Sequence, residues 1–128
     1  MPHNFPIRVY YEDTDLAGIV YYANYLKFIE RARSEWVRGL GVDQVQMKAD
    51  GVVFAVRRVE ADYLMPAKYD DELVVETTMA EGSGVRLVCK QDVRRGADLL
   101  FSAIVTIICM NDAGSVVRLP AVIRRLVP

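Results

Sequence analysis

One helix-length segment followed by four long strand-like runs restricts this chain more than any other feature. Residues 22–40 contain no proline, and no glycine before Gly39. Apolar residues recur there at Tyr22, Leu26, Ile29, Ala32, Trp36 and Leu40, the spacing of an amphipathic helix with a broad apolar face. Arg31 and Glu35 lie four apart and Lys27 and Glu30 three apart, which predicts ion pairs on the polar side. Gly39 and Gly41 supply the stop. A short helical piece is predicted over 42–49. Segments 52–64, 73–80, 85–95 and 99–110 are then rich in Val, Ile, Thr and Leu. Their separators are turn-forming: 66–71, Gly82-Ser83-Gly84, Arg95-Gly96-Ala97-Asp98 and Asn111-Asp112-Ala113-Gly114. The last three contain glycine and should close antiparallel hairpins. Residues 7–11 read as a first strand and 120–127 as a short closing helix or strand. The result is an α+β reading, a curved antiparallel sheet wrapped around one long helix. Residues 1–128 form a single domain, because 128 residues leave no room for two full cores. The remaining sheet face and edges call for a second copy, so a homodimer or homotetramer is expected.

Composition excludes several classes. Sixteen basic residues against seventeen acidic give a net charge of −1, without the basic excess of a nucleic-acid binder. A hydrophobic content of 52% excludes disorder. The longest apolar run, 99–110, is interrupted by Ser102 and Thr106 and is too short for a membrane span, so membrane insertion is not expected. The opening residues lack an apolar signal core, and a cytoplasmic location is the expectation. Cys89, Cys109 and His3 are too few for a zinc site of the Cys/His type, so no metal is expected. They also exclude a Ser-His or Cys-His dyad unless His3 supplied the base; that residue reads as a mobile chain end. Cys89 and Cys109 lie in apolar strands and read as small buried hydrophobes.

Chemistry therefore concentrates in the loop before the helix. Glu12, Asp13 and Asp15 place three carboxylates within four residues, and Gly18 closes the loop. The structural reading is a solvated turn whose acids favour the positive end of the helix. The functional reading is an acyl-transfer site. One carboxylate faces a reactive carbonyl, and unpaired N–H groups at the helix start receive the developing oxyanion.

The segment Tyr11-x-Asp13-Thr14-Asp15-x-x-Gly18-x-Val20-Tyr21-x-x-x-Tyr25, followed by Glu30-Arg31-Ala32-Arg33, resembles the signature of the hotdog-fold acyl-CoA thioesterases. Within them it is similar to the 4-hydroxybenzoyl-CoA thioesterase family, including its Tol–Pal-associated acyl-CoA thioesterase branch. Pro66-Ala67-x-x-Asp70-Asp71 matches a second recurring stretch of that family. The resemblance implies the hotdog fold and hydrolysis of a short-chain or aromatic acyl-CoA to free acid and CoA. It implies no bound cofactor, since coenzyme A is part of the substrate. Asp15 matches the catalytic carboxylate, as nucleophile or as general base for water. Gly18 matches the position of close backbone approach. The backbone N–H of Tyr22 matches the donor that polarises the thioester carbonyl, and Tyr11 matches a supporting tyrosine. Val20-Tyr21-Tyr22 departs from the Val-Tyr-His of the Tol–Pal-associated branch. Any mechanism using that imidazole is thereby excluded, and an aromatic or other compact acyl group is favoured.

Coenzyme A carries phosphates, which makes Arg57, Arg58, Lys68, Lys90, Arg94 and Arg95 the candidate cations. The alternative function is a non-catalytic hotdog module that holds acyl-CoA or an acyl-carrier protein. A dehydratase of the same fold would want an Asp/His pair, for which only His3 is available.

Overall fold

The structure is a computed structural model that describes residues 2–127. In chain order it contains β1 (His3–Arg8), a 3₁₀ turn (Tyr11–Asp13), α1 (Asn24–Gly39), α2 (Gln44–Ala49) and β2 (Val52–Tyr63). There follow β3 (Glu72–Gly82), β4 (Arg86–Arg95), β5 (Asp98–Asn111), β6 (Val116–Val117) and α3 (Ala121–Arg124). The strands form one antiparallel sheet in the order β1-β3-β4-β5-β2, with β6 added beside β5. This is the α+β architecture that the sequence predicts. Among the described residues, no helix is long and apolar enough to cross a membrane.

Alternation along the strands builds the core. The face toward α1 carries Leu73, Val75 and Thr77 from β3, Leu87, Cys89, Gln91 and Val93 from β4, and Phe101, Ala103, Val105 and Ile107 from β5. Register aligns them into cross-strand rows. Val75 lies opposite Val93, Val93 opposite Phe101, and Phe101 opposite Tyr63. In the next row Thr77 lies opposite Gln91, Gln91 opposite Ala103, and Ala103 opposite Ala61. Tyr25, Phe28, Ile29, Ala32 and Val37 of α1 close on these rows. Phe28 and Phe101 are among the largest fully buried side chains.

Four expectations are corrected. The buried face of α1 is rotated from the predicted one: Tyr22 and Leu26 are exposed, Trp36 and Leu40 only partly buried, and Tyr25 and Val37 take their place beside Phe28, an aromatic at helical spacing that reads as core. Ile29 and Ala32 belong to both stripes, so periodicity alone admits either phase and packing chooses. The helix starts at Asn24, two residues beyond the predicted Tyr22, because the chain there first makes a turn in which the Asn24 N–H bonds the Tyr21 carbonyl. The predicted Arg31–Glu35 and Lys27–Glu30 pairs are not among those formed. Glu35 pairs with Arg38 at 2.5 Å, and Glu30 accepts from the Ser34 hydroxyl. Such surface pairs contribute too little to dictate a geometry. His3 is no loose end; it lies in β1 opposite Thr77. The closing segment takes the helical alternative as α3. Cys89 and Cys109 are buried free thiols, and burial pushes both up to about 11.

Inside this apolar sandwich, Gln91 is fully buried and polar. Its Nε2 donates to the Ile29 carbonyl of α1 and to Thr77 Oγ1, each at 2.9 Å, and its Oε1 accepts from Arg33 Nη1 at 2.8 Å. The amide thus ties the middle of the helix to two central strands. Gln91→Leu keeps the volume but strands these partners. It should lower stability by about 2–4 kcal/mol, since each unsatisfied buried group costs about 1–3 kcal/mol. The urea midpoint measures the loss.

Candidate active site

The acidic loop folds back on itself as a tight antiparallel turn. Thr14 and Val20 form a bridge, the Asp15 N–H donates to the Ile19 carbonyl at 2.9 Å, and the Gly18 N–H donates to the Asp15 carbonyl at 2.9 Å. Gly18 adopts φ +79°, a left-handed conformation that L side chains resist. No atom lies within 4 Å of where its Cβ would be. Within this chain the turn, rather than crowding, accounts for the glycine. The same ladder continues to the helix: the Tyr21 N–H donates to the Asp13 carbonyl at 2.9 Å, and Asn24 Nδ2 donates to that carbonyl at 2.9 Å. These bonds set Asp13 against the start of the helix, with Asp15 two residues further out in the turn, opposite Ile19.

The carboxylates then divide their roles. Asp13 Oδ2 accepts from the Tyr10 N–H at 2.8 Å and closes the 3₁₀ turn, which makes it structural. Asp15 Oδ1 accepts from the Ala17 N–H at 2.9 Å. Its side chain is exposed, and its second oxygen has no donor among the described residues. The Tyr21 phenol is pushed up mainly by the adjoining Tyr22 hydroxyl, with the Asp15 charge adding to it.

At the helix start, the N–H groups of Tyr22 and Ala23 have no acceptor among the described residues, and no side chain caps the helix. Open N–H groups at a helix start are the kind of donor that an acyl-transfer site uses. Tyr21, Tyr22 and Tyr63 surround them, with Tyr21 and Tyr22 centroids 4.9 Å apart and Tyr22 and Tyr63 centroids 6.2 Å apart in edge contact. Tyr11 is exposed and meets Tyr69 edge-on at 6.4 Å. A groove of about 510 Å³ runs along α1 from Leu26 to Arg33 against Val56 and Val59 of β2. A smaller one of about 150 Å³ continues past Trp36 and Phe54. Asp15, Gly18 and Tyr22 line neither of these two grooves.

The loop at 66–71 is the platform for this site. The Val20 N–H donates to the Ala67 carbonyl at 2.8 Å, and Ile19 bridges Lys68. The buried Tyr25 hydroxyl accepts from the Ala67 N–H at 3.1 Å. Asp71 Oδ2 accepts from the Lys68 N–H and from Arg95 Nη1, both at 2.8 Å, and Asp70 pairs with Arg8 at 2.9 Å.

The candidate cations differ in their freedom. Arg94 is paired with Glu76 at 2.6 Å, Arg95 with Asp71, Arg58 with Glu60 at 2.7 Å, and Lys90 with Asp92 at 3.7 Å. Arg57, at the β-bulge of β2, and Lys68, beside the Asp15 turn, have no ion-pair partner among the described residues. Asn24 and Tyr63 went unread in the sequence. Asn24 stands in an unspecified position of the motif, and Tyr63 reaches the site only through the sheet.

The fold and this site meet in one family. The thioesterase superfamily pattern matches residues 17–102, and the chain belongs to that family, with the hotdog fold and as a thioester hydrolase. Its relatives include the acyl-CoA thioesterase YbgC of Haemophilus influenzae, 41% identical over 109 residues, which cover 84% of this chain and 80% of that protein. The acyl-CoA thioester hydrolase YbgC of Escherichia coli O6:H1 is 40% identical over 108 residues, 84% of this chain and 81% of the other. Among solved structures, a probable thioesterase from Bartonella henselae superposes with a TM-score of 0.89 at 37% identity, covering 94% of this chain and 100% of its own.

Burial alone would raise the Asp71 carboxyl, but the Lys68 N–H and Arg95 hold it below the ordinary carboxylate range. A depressed pKa stabilises the fold above the unfolded-state value, about 3.9, and that contribution is lost as pH falls through the folded value. Asp71→Asn should therefore be less stable than the wild type at pH 7, with the two curves converging toward pH 3. Thermal midpoints across this range test it.

Proposed function

We propose that the chain hydrolyses an acyl-CoA, of short-chain or aromatic acyl group, to free acid and CoA without a metal or bound cofactor. The observation that carries this reading is the return of the Asp15 turn onto a helix start whose Tyr22 and Ala23 N–H groups are unpartnered. The thioester carbonyl oxygen takes those donors, which stabilise the charge that develops on it. Asp15, exposed and bearing one oxygen without a donor, either attacks the carbonyl carbon or takes a proton from an attacking water. In both routes the C–S bond breaks and the departing thiolate takes up a proton; in the base route water's oxygen goes directly to the acyl carbon, whereas in the covalent route water opens an Asp15–acyl anhydride at one of its two carbonyl carbons. A single turnover in ¹⁸O water that labels the Asp15 carboxyl establishes the covalent route, with water attacking the aspartyl carbon of the anhydride.

The exposed rings of Tyr21, Tyr22 and Tyr63 favour an aromatic acyl group, which stacks edge-to-face on such surfaces. Of the six candidate cations, Lys68 and Arg57 have no ion-pair partner among the described residues and are available to the CoA phosphates. Glu76, Asp92, Asp71 and Glu60 compete for the other four.

The acceptor half of the cleft comes from a second copy. β2 pairs only with β5, so its outer edge offers unpaired backbone groups. Beside that edge Val56, Val59 and Leu26 are 48%, 39% and 40% exposed. Pairing two such edges covers these side chains and closes the groove along α1.

Asp15→Asn should keep the wild-type melting temperature and lower thiol release by about 10²–10⁴-fold, the usual contribution of a positioned acid–base group. Undiminished turnover in that variant over a panel of acyl-CoAs would exclude the role. Binding without thiol release by the wild type would select the non-catalytic alternative. Val59→Glu should convert the assembly to monomers in light scattering and abolish turnover with it.

A further inference from the structure

Tyr63, the last residue of β2, donates its hydroxyl hydrogen to the Tyr22 carbonyl at 2.9 Å. This bond fills a gap left by the helix. The Leu26 N–H bonds to the Ala23 carbonyl, and the Tyr22 carbonyl has no backbone donor among the described residues. The phenol has little freedom to do otherwise. Its ring sits at 5.0 Å from Phe101, 5.6 Å from Tyr25 and 6.2 Å from Tyr22, in edge contact with each.

The Tyr22 carbonyl belongs to the same peptide unit as the Ala23 N–H. Because that unit is planar and trans, the carbonyl and the N–H point in opposite directions. Anchoring one aims the other, and a hydrogen bond donated to the carbonyl makes the N–H a stronger donor. We infer that Tyr63 is a positioning residue of the thioester site: through its bond to the Tyr22 carbonyl it aims and polarises the Ala23 N–H as a second donor to the thioester oxygen, beside that of Tyr22. The inference rests on the proposed thioesterase site and adds a residue 41 positions further along the chain.

The test compares wild type, Tyr63→Phe, Asp15→Asn and Ile123→Val with benzoyl-CoA and a short-chain acyl-CoA. Ile123 is a buried core residue of α3, and its truncation serves as a stability control. Tyr63→Phe keeps the ring packing and deletes the hydroxyl. Its kcat should fall about tenfold with KM within about twofold, less than the 10²–10³-fold typical of losing a donor outright. Its Ala23 amide proton should move upfield in the NMR spectrum. Replacing Tyr63 by p-aminophenylalanine, which keeps a donor on the same ring, should restore kcat. Ile123→Val should lose Tm without losing kcat. If Tyr63→Phe turns over like the wild type, the positioning role is overturned while the thioesterase reading stands. If the wild type releases no thiol, or Asp15→Asn is fully active, the thioesterase reading fails and takes this role with it.

Discussion

The height and rotation of α1 on the sheet decide where everything else lies. Apolar packing alone leaves a helix some freedom to slide or turn, since Phe28, Ile29 and Ala32 could find other apolar neighbours on a face made mostly of Val, Leu and Phe. The Gln91 amide removes that freedom. It joins the Ile29 carbonyl, the Thr77 hydroxyl and the Arg33 guanidinium at one point in the core. A buried amide is stable only when its partners are met, so the helix is held at the one position that meets them. Arg33 bears part of the cost, because burial pulls its pKa down.

From that anchorage the site follows at the helix's other end. The turn before α1 is tied three ways: to the acidic loop through the Asp13 carbonyl, to the 66–71 loop through Val20 and Tyr25, and to β2 through Tyr63. The ties satisfy the Asp13 and Tyr22 carbonyls and the Val20 and Ala67 N–H groups, all of them outside the helix itself. The Tyr22 and Ala23 N–H groups are left out of this scheme. They are open N–H groups of the kind that every helix start presents.

Electrostatics around the site are compensated locally. Asp71 is held by Arg95 and Asp70 by Arg8, so the platform under the Asp15 turn carries its own counter-charges. Much of the basic content near the site is thereby committed to structure. Lys68 and Arg57 are the candidates without a partner, which narrows a field that composition leaves at six. The overall charge of −1 is no obstacle to an anionic substrate, because recognition depends on the local cations that remain unpaired.

Much of this was legible in the residues themselves. The helix, the four long strands and their glycine turns follow from periodicity and turn chemistry, which are local properties. The acidic turn and its Gly18 follow from the density of one short motif. The phase of the buried stripe on α1 was not legible. Tyr22/Leu26/Trp36/Leu40 and Tyr25/Phe28/Val37 share Ile29 and Ala32, and hydrophobicity ranks them alike. The division of labour between Asp13 and Asp15 was equally hidden, since it depends on which carboxylate finds the Tyr10 N–H. Tyr63 could not be connected to Tyr22 without knowing that β2 runs beside β5 opposite Phe101. Sequence by itself determined which segments become helix or strand and where the charged chemistry is concentrated, because both depend on neighbours a few positions apart. Tertiary structure decided which side of the helix is buried, which candidate cations stay unpaired and which distant tyrosine bonds the Tyr22 carbonyl. Those outcomes depend on contacts between residues far apart in the chain, brought together only when the sheet assembles around its core.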